Sequence, residues 1–387
     1  MKIRVPSYYK DFKCIASACE DTCCVGWDVV IDSQTYQRYQ NTEGAFGEKL
    51  RSKMVVDEDG DNIFVLDGDR CPFLRNNLCD IHIEKGEQFL CHTCKQYPRY
   101  MEEFADLKEV GISLSCPEAA RIILGQAKLT EFELSEDSQV GDKIQSDDAD
   151  ILEEFFLCRA TIIDILEMVD IPLGIRAAII LRFVEELQDK IDFGELDAMN
   201  QVREAYNDSS VLKKIIKDLY ACKENEGTKY KDVYEYFRTY RDLDHINAKD
   251  SLGLNKVLSI YWKDEVDRDL YSKEHKSFNH YYKGNTYKFK NILVYYIYRY
   301  FMKSFYDYDM SSKIKVAIMS TIMIKELAVF RWIEKGEFSE VDLVDISHSY
   351  SKDIEHLEEN IETLEKIFET EEVYAVDRII NTLSHEF

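Results

Sequence analysis

At 387 residues and 45% hydrophobic content, the chain is long enough for two domains and apolar enough for a sizeable core. A formal net charge of −25 argues against nucleic acid, whose phosphates it would repel, and fits a basic or lysine-bearing partner. No run approaches the roughly 18 apolar residues of a membrane span, and MKIRVPSYYKDFKC has no apolar signal-peptide core, so no membrane association and a cytoplasmic location are expected.

In chain order, residues 1–125 read as a loop-rich unit with short strands. Gly26 to Asp32 carries β-branched residues in loose alternation and predicts a strand. Asp32-Ser33 predicts the cap of a short helix through Tyr36 and Tyr39. Asn62 to Leu66 predicts a second strand, ended by Asp67-Gly68-Asp69, with the first strand as its partner. Residues 126–150 are acidic and poor in apolar periodicity, and read as a linker. From 151 onward the spacing turns helical. Ile151, Phe155, Cys158, Ile162, Ile165 and Val169 form one face, and Ile175, Ile179, Phe183 and Leu187 the next, after a start near Asp170 and Pro172. Further helices are predicted around 211–222, 229–240, 251–262, 286–306, 312–335 and 352–369, with the apolar stretch 314–332 at the centre of the bundle. The fold class is therefore mainly α: a small cysteine-cluster N-terminal domain with short strands, followed by an all-α helical domain over 151–387.

Of 11 cysteines, nine fall between Cys14 and Cys116: Cys14, Cys19, Cys23, Cys24, Cys71, Cys79, Cys91, Cys94 and Cys116. In a reducing compartment structural disulfides are not expected, and sulfur this dense points to metal. Thiolate is a soft ligand that suits zinc, copper(I) and iron–sulfur clusters, so all nine are candidate metal ligands. Cys91-x2-Cys94 alone has the familiar zinc-ribbon step. The side chains of adjacent Cys23 and Cys24 diverge, which points one at a cluster and the other at a second site or into packing. His82 and His92 are possible imidazole ligands. Cys158 and Cys222 read as packed small hydrophobes. A Gly-x-Gly dinucleotide fingerprint, a Walker loop, a nucleophile elbow and a His-Glu-x-x-His motif are all missing, as is the x3-x2 cysteine spacing of radical enzymes. The tyrosine-rich stretch 278–308 reads either as a helix with buried rings and wet hydroxyls or as an aromatic-lined pocket for an amine or sulfonium.

The phrases PSYYKDFKCIASACEDTCCVGWDVVIDSQTYQRY, RCPFLRNNLCDIH, CKQYPRY and SLSCPEAAR together resemble the flagellin lysine-N-methylase family, and NILVYYIYRYFMKSFYD and HSYSKDIEH extend the resemblance into the C-terminal half. The carry-over falls on Cys19, Cys23, Cys24, Cys71, Cys79, Cys94 and Cys116; Cys14 lies in the opening phrase, and Cys91 is less typical. The resemblance implies a cytoplasmic enzyme that methylates surface lysine ε-amines of flagellin, with S-adenosylmethionine as donor and an iron–sulfur cluster, 4Fe-4S, on the N-terminal cysteines; zinc is the alternative metal. Such a reaction needs the lysine as a free amine, and Tyr97, Tyr287 and Tyr298 are candidates to take its proton; catalytic and donor-binding residues stay unassigned. The competing readings are a non-enzymatic metal-binding or redox-sensing module with a helical interaction domain, and a zinc-stabilised adaptor.

Overall fold

The structure, a computed structural model, describes all residues except 26–28, 59, 69, 77, 129, 137–145, 222–224, 247–251, 263–267 and 385–387. The N-terminal part contains strands β1 (Lys2–Pro6), β2 (Met54–Val56), β3 (Asn62–Phe64), β4 (Leu74–Arg75), β5 (Leu78–Cys79), β6 (Arg99–Phe104), β7 (Leu107–Ile112) and β8 (Phe132–Glu136). Among them lie helices α1 (Ser33–Gln40), α2 (Gly44–Ser52), α3 (Asp80–Lys85), α4 (His92–Gln96) and α5 (Pro117–Leu124). The rest is helical: α6 (Ser146–Leu166), α7 (Leu173–Asp192), α8 (Met199–Asn207), α9 (Ser209–Ala221), α10 (Glu226–Arg241), α11 (Leu254–Tyr261) and α12 (Arg268–Tyr282). It continues through α13 (Tyr287–Tyr300), α14 (Ser304–Asp307), α15 (Met310–Lys335), α16 (Glu340–Glu355), α17 (Glu358–Thr370) and α18 (Val376–Ser384). The mainly α class read from the sequence is the one observed.

Two apolar cores organise these elements. The small one gathers Val29, Ile31, Tyr39, Leu50, Phe64, Phe73 and Ile81 together with Cys71 and Cys91. The large one runs through the helices and also takes in Tyr8, Phe12, Phe104, Ile112, Leu114, Cys116 and Ala119. The sheet of order β6-β7-β1-β8 and helix α5 thus pack with the helical half, not with the cysteine-bearing unit. Strand β1 is parallel to β7, with Lys2 opposite Leu107, and antiparallel to β8, with Lys2 opposite Glu136. Glu109 on β7 fastens the sheet to α6 through a buried bidentate pair with Arg159. Helix α15 is buried along nearly its whole length and packs against α7, α12, α13, α16 and α17, the central place its all-round apolar pattern predicts.

Several expectations meet different structure. Of the strand expected over 26–32, residues 26–28 lie outside the described residues, and Val30 makes only an isolated bridge to Ile63. The second strand is β3, shorter than expected and hydrogen-bonded to β2. Within 126–150, residues 132–136 form β8, 137–145 lie outside the described residues, and α6 begins at Ser146. The helix expected over 352–369 is two: α16 ends at Glu355 and α17 begins at Glu358. Asn360 makes the break possible by donating to the Asp353 carbonyl, which the interruption leaves open, and to the Asp244 carbonyl. Helix α7 starts from Pro172 rather than from an Asp170 cap.

Candidate functional site

The small core brings thiols together from three segments. Cys24 and Cys71 meet through the backbone, the Cys71 N–H donating to the Cys24 carbonyl at 2.8 Å. The β4–β5 hairpin, turned at Asn76 with φ +51°, returns the chain to Cys79. Arg38 donates to the carbonyls of Gln88, Phe89 and Leu90, and the Tyr39 hydroxyl donates to Phe89, so α1 clamps the loop that delivers Cys91. Asp32 caps α1 through the Thr35 N–H and also accepts from the His92 N–H at 2.8 Å, which fixes α4 and with it Cys94.

Cys79, Cys91 and Cys116 each stand immediately before a helix, at its cap position. Backbone N–H groups of the first turn point at the sulfur there, from Ile81 and His82 at Cys79 and from Glu118 and Ala119 at Cys116. Burial nevertheless raises both thiols, Cys116 to about 12. Within the pairs the shifts oppose each other. The Cys24 thiol lowers Cys71 and the Cys94 thiol lowers Cys91, each stabilising its partner's thiolate, while Cys94 is raised by its bond to Cys91 and by burial. Cys24, Cys71 and Cys94 all lie in the field of Cys79, so Cys24, Cys71, Cys79, Cys91 and Cys94 form one neighbourhood. Cys23 bonds to Cys24 and also faces Cys116, which neighbours Cys19; Cys14 is exposed beside Cys19.

The described cysteines are all free thiols. Among the described residues no three His, Cys, Asp or Glu side chains already stand in a metal-ligand arrangement. The donor chemistry still fits a soft metal: buried and half-buried thiols from three segments, several with N–H donors aimed at sulfur. His82 and His92 are both exposed. Cys158 is buried on α6 within the large core, and Cys222 lies outside the described residues.

A cleft of about 370 Å³ opens beside this unit, between the end of α4 and the helical core. Thr93, Tyr97, Tyr100 and Ser113 line it from the N-terminal part, and Arg299, Glu355 and His356 from the helices. Glu355 is its anchor. Its carboxylate accepts from Tyr295 at 2.9 Å, Tyr300 at 3.0 Å and Ser351, and pairs with Arg299 at 2.7 Å. The Arg299 guanidinium lies 4.1 Å from the centre of the Tyr100 ring. His356 places Nε2 2.9 Å from Ser115 Oγ and meets the Tyr97 ring edge-on at 5.8 Å. Burial, then the Lys352 ammonium and Arg299, hold its imidazole down at about 4, neutral at pH 7. Lys352 is itself tied to Asp21 at 2.8 Å, two residues before Cys23.

Of the three tyrosines singled out from sequence, Tyr97 lines the cleft. The Tyr298 hydroxyl instead donates to the Arg4 and Val110 carbonyls and holds the sheet, and Tyr287 sits half-buried against Lys288. Arg299, Glu355 and His356 were not singled out, although YRY and the phrase HSYSKDIEH contain them.

The half of the chain that carries these three residues matches a known family. The profile of the FliB lysine N-methylase C-terminal domain matches residues 159–382. The chain belongs to the FliB lysine N-methylase family. It is 28% identical over 134 residues to the flagellar biosynthetic protein FliU of Salmonella muenchen, a match covering 31% of this chain and 75% of that protein. To the lysine-N-methylases of Salmonella choleraesuis and Salmonella typhimurium it is 27% identical over 126 residues, 31% of this chain and 31% of each relative. The chain therefore spans about a third of the length of those two methylases. No solved structure matches. Among the described residues no helix is long and apolar enough to cross a membrane. In this member of the FliB family, the matched domain supplies Arg299, Glu355 and His356 to the cleft, and residues that precede it supply Thr93, Tyr97, Tyr100 and Ser113.

Proposed function

We propose that the chain is a cytoplasmic protein-lysine N-methyltransferase acting on flagellin, with S-adenosylmethionine as donor. The observation that carries the reading is the match of residues 159–382 to the family's C-terminal domain. The relatives' names, a flagellar biosynthetic protein and lysine-N-methylases, support the substrate class. The net charge of −25 supports attraction of a lysine-bearing surface at long range. The donor supplies a sulfonium methyl group, and the chain's part is to desolvate and orient an amine toward it.

The reading includes an iron–sulfur cluster on the cysteine unit, held by ligands drawn from Cys24, Cys71, Cys79, Cys91 and Cys94. When bound, such a cluster supplies iron that exchanges electrons and accepts further ligands. The residues around it have their own tasks: α1 and Asp32 fix the loop of Cys91 and Cys94, and the N–H groups of α3 support Cys79. The second neighbourhood, Cys14, Cys19, Cys23 and Cys116, adjoins the first through the Cys23-Cys24 pair.

The test uses anaerobically purified protein. Iron, zinc and acid-labile sulfide are measured with the visible spectrum, and the same sample is titrated with S-adenosylmethionine by calorimetry. About four irons and four sulfides per chain with saturable donor binding support the reading. Stoichiometric zinc without sulfide and without donor binding overturns it in favour of a structural module.

A further inference from the structure

We propose that the cleft between Tyr97, Tyr100, Arg299 and His356 is where the target lysine reacts, and that His356 receives the ammonium proton and passes it along a hydroxyl chain toward Glu355. This rests on the methyltransferase reading and names the site at which it operates.

The size of the cleft decides what it holds. At about 370 Å³ it lies near the low end of small-molecule sites, roughly 300–1,000 Å³. That is room for one extended side chain and a methyl group, with the bulk of a nucleoside donor outside. The lining includes the aromatic side chains Tyr97 and Tyr100 and the ring of Pro98, which suit the apolar stem of a lysine.

Its charges decide the protonation state. The groups facing His356 are Arg299 from α13, Lys352 and Glu355 from α16, Asp21 from the cysteine-bearing segment, and Tyr97 from the end of α4. Glu355 is engaged by Arg299 and Asp21 by Lys352, so neither carboxylate is free to trap an incoming ammonium as an ion pair. Desolvation between two cations disfavours the ammonium and favours the amine.

A continuous path leads away from the imidazole. His356 Nε2 is 2.9 Å from Ser115 Oγ, Ser115 Oγ is 2.8 Å from Ser113 Oγ, Ser113 Oγ is 3.4 Å from the Tyr295 hydroxyl, and that hydroxyl is 2.9 Å from Glu355. The Tyr97 hydroxyl joins at Ser115, 3.2 Å away. In the step, one N–H bond of the lysine ammonium breaks and an imidazole N–H forms. The freed amine lone pair forms the N–CH₃ bond, and the breaking C–S bond returns its electron pair to the donor sulfur, leaving a neutral thioether and a methylated ammonium.

The test has two readouts on the full chain. In the first, methyl transfer from S-adenosylmethionine to flagellin is followed against pH for the wild type, His356→Gln and Ser113→Ala. Glutamine still reaches Ser115 but accepts no proton. We expect His356→Gln to lower kcat about a hundredfold at pH 7 with KM little changed, the deficit shrinking as pH rises, and Ser113→Ala to lower it by about tenfold. A uniform loss at every pH, or none, overturns the relay. In the second, Nα-acetyl-lysine methylamide is titrated into ¹⁵N-histidine-labelled protein, the His356 signals being assigned by their loss in His356→Gln. Shifted His356 resonances support the site even if flagellin is not methylated, in which case the functional reading alone fails. Unshifted resonances overturn the site whether or not turnover is seen.

Discussion

Replacing Glu109 by Gln removes a negative charge from a place where two cations depend on it. Glu109 is 3% exposed and takes two hydrogen bonds from Arg159, whose side chain is 7% exposed, and a third from Arg4 at 2.8 Å. Arg159 is further enclosed by the rings of Phe156 and Tyr298, so no water replaces the lost partner. Breaking a buried pair from one side costs about 3–5 kcal/mol, because the other charge stays buried without compensation. Glu109→Gln belongs at the lower end, about 3 kcal/mol, since the amide oxygen still accepts one bond and Arg4 is partly solvated. The double variant Glu109→Gln/Arg159→Met removes both buried partners and is expected to be more stable than Glu109→Gln alone. Urea unfolding followed by helical circular dichroism measures both. The pH dependence is a further check. Burial raises the Glu109 carboxyl, but Arg159 and then Arg4 outweigh it and hold it below the usual range. Its contribution is therefore present above the unfolded value of about 4.3 and lost as pH falls through the lower folded value, where wild type and Glu109→Gln converge. A loss under about 1 kcal/mol at pH 7, or a double variant equal to the sum of the singles, refutes the reasoning.

Other perturbations have equally definite outcomes. His356, held near 4 against an unfolded value of about 6.5, binds its proton more weakly when folded, so stability falls as pH drops from 6.5 toward 4 by about 3 kcal/mol; thermal melts of His356→Gln should show a flatter profile over that window. Asp32→Ala removes a helix cap worth about 1 kcal/mol and the tether to the His92 N–H, and should lower both the melting temperature and the iron content of anaerobically purified protein. Cys91→Ser and Cys94→Ser should lose metal in elemental analysis, whereas Cys158→Ala, at a buried position on α6, should keep it and lose about 1 kcal/mol of stability. Metal content unchanged in both serine variants would remove those two cysteines from the ligand set.

What was legible in the sequence is what local chemistry encodes. The Asp32 cap, the apolar stripe of α7 and the all-round apolar α15 follow from spacing within one or two turns. The density of thiols likewise marked the unit that the structure gathers around one small core. The sheet was not legible, because β1 pairs with β7 across more than a hundred residues and β8 is a largely exposed edge. Helix α12 was missed because its buried face carries Tyr271 and His275, whose polar atoms are satisfied by Glu326 on α15, so no apolar stripe announces it. The cleft was hidden for the same reason as the sheet. Tyr97, Ser113, Arg299 and His356 come from four segments, and no short motif joins them. The break after Glu355, which the periodicity of Ile354, Leu357 and Ile361 runs straight through, is what leaves His356 at the end of α16 and facing Ser115.

The most direct test of the account is the intact-mass spectrum of purified flagellin after incubation with anaerobically purified protein and S-adenosylmethionine, followed by peptide mapping. The account predicts mass increments of whole methyl groups that map to lysine side chains and require both donor and protein. Flagellin of unchanged mass, from a preparation that carries its metal and binds the donor, would contradict it.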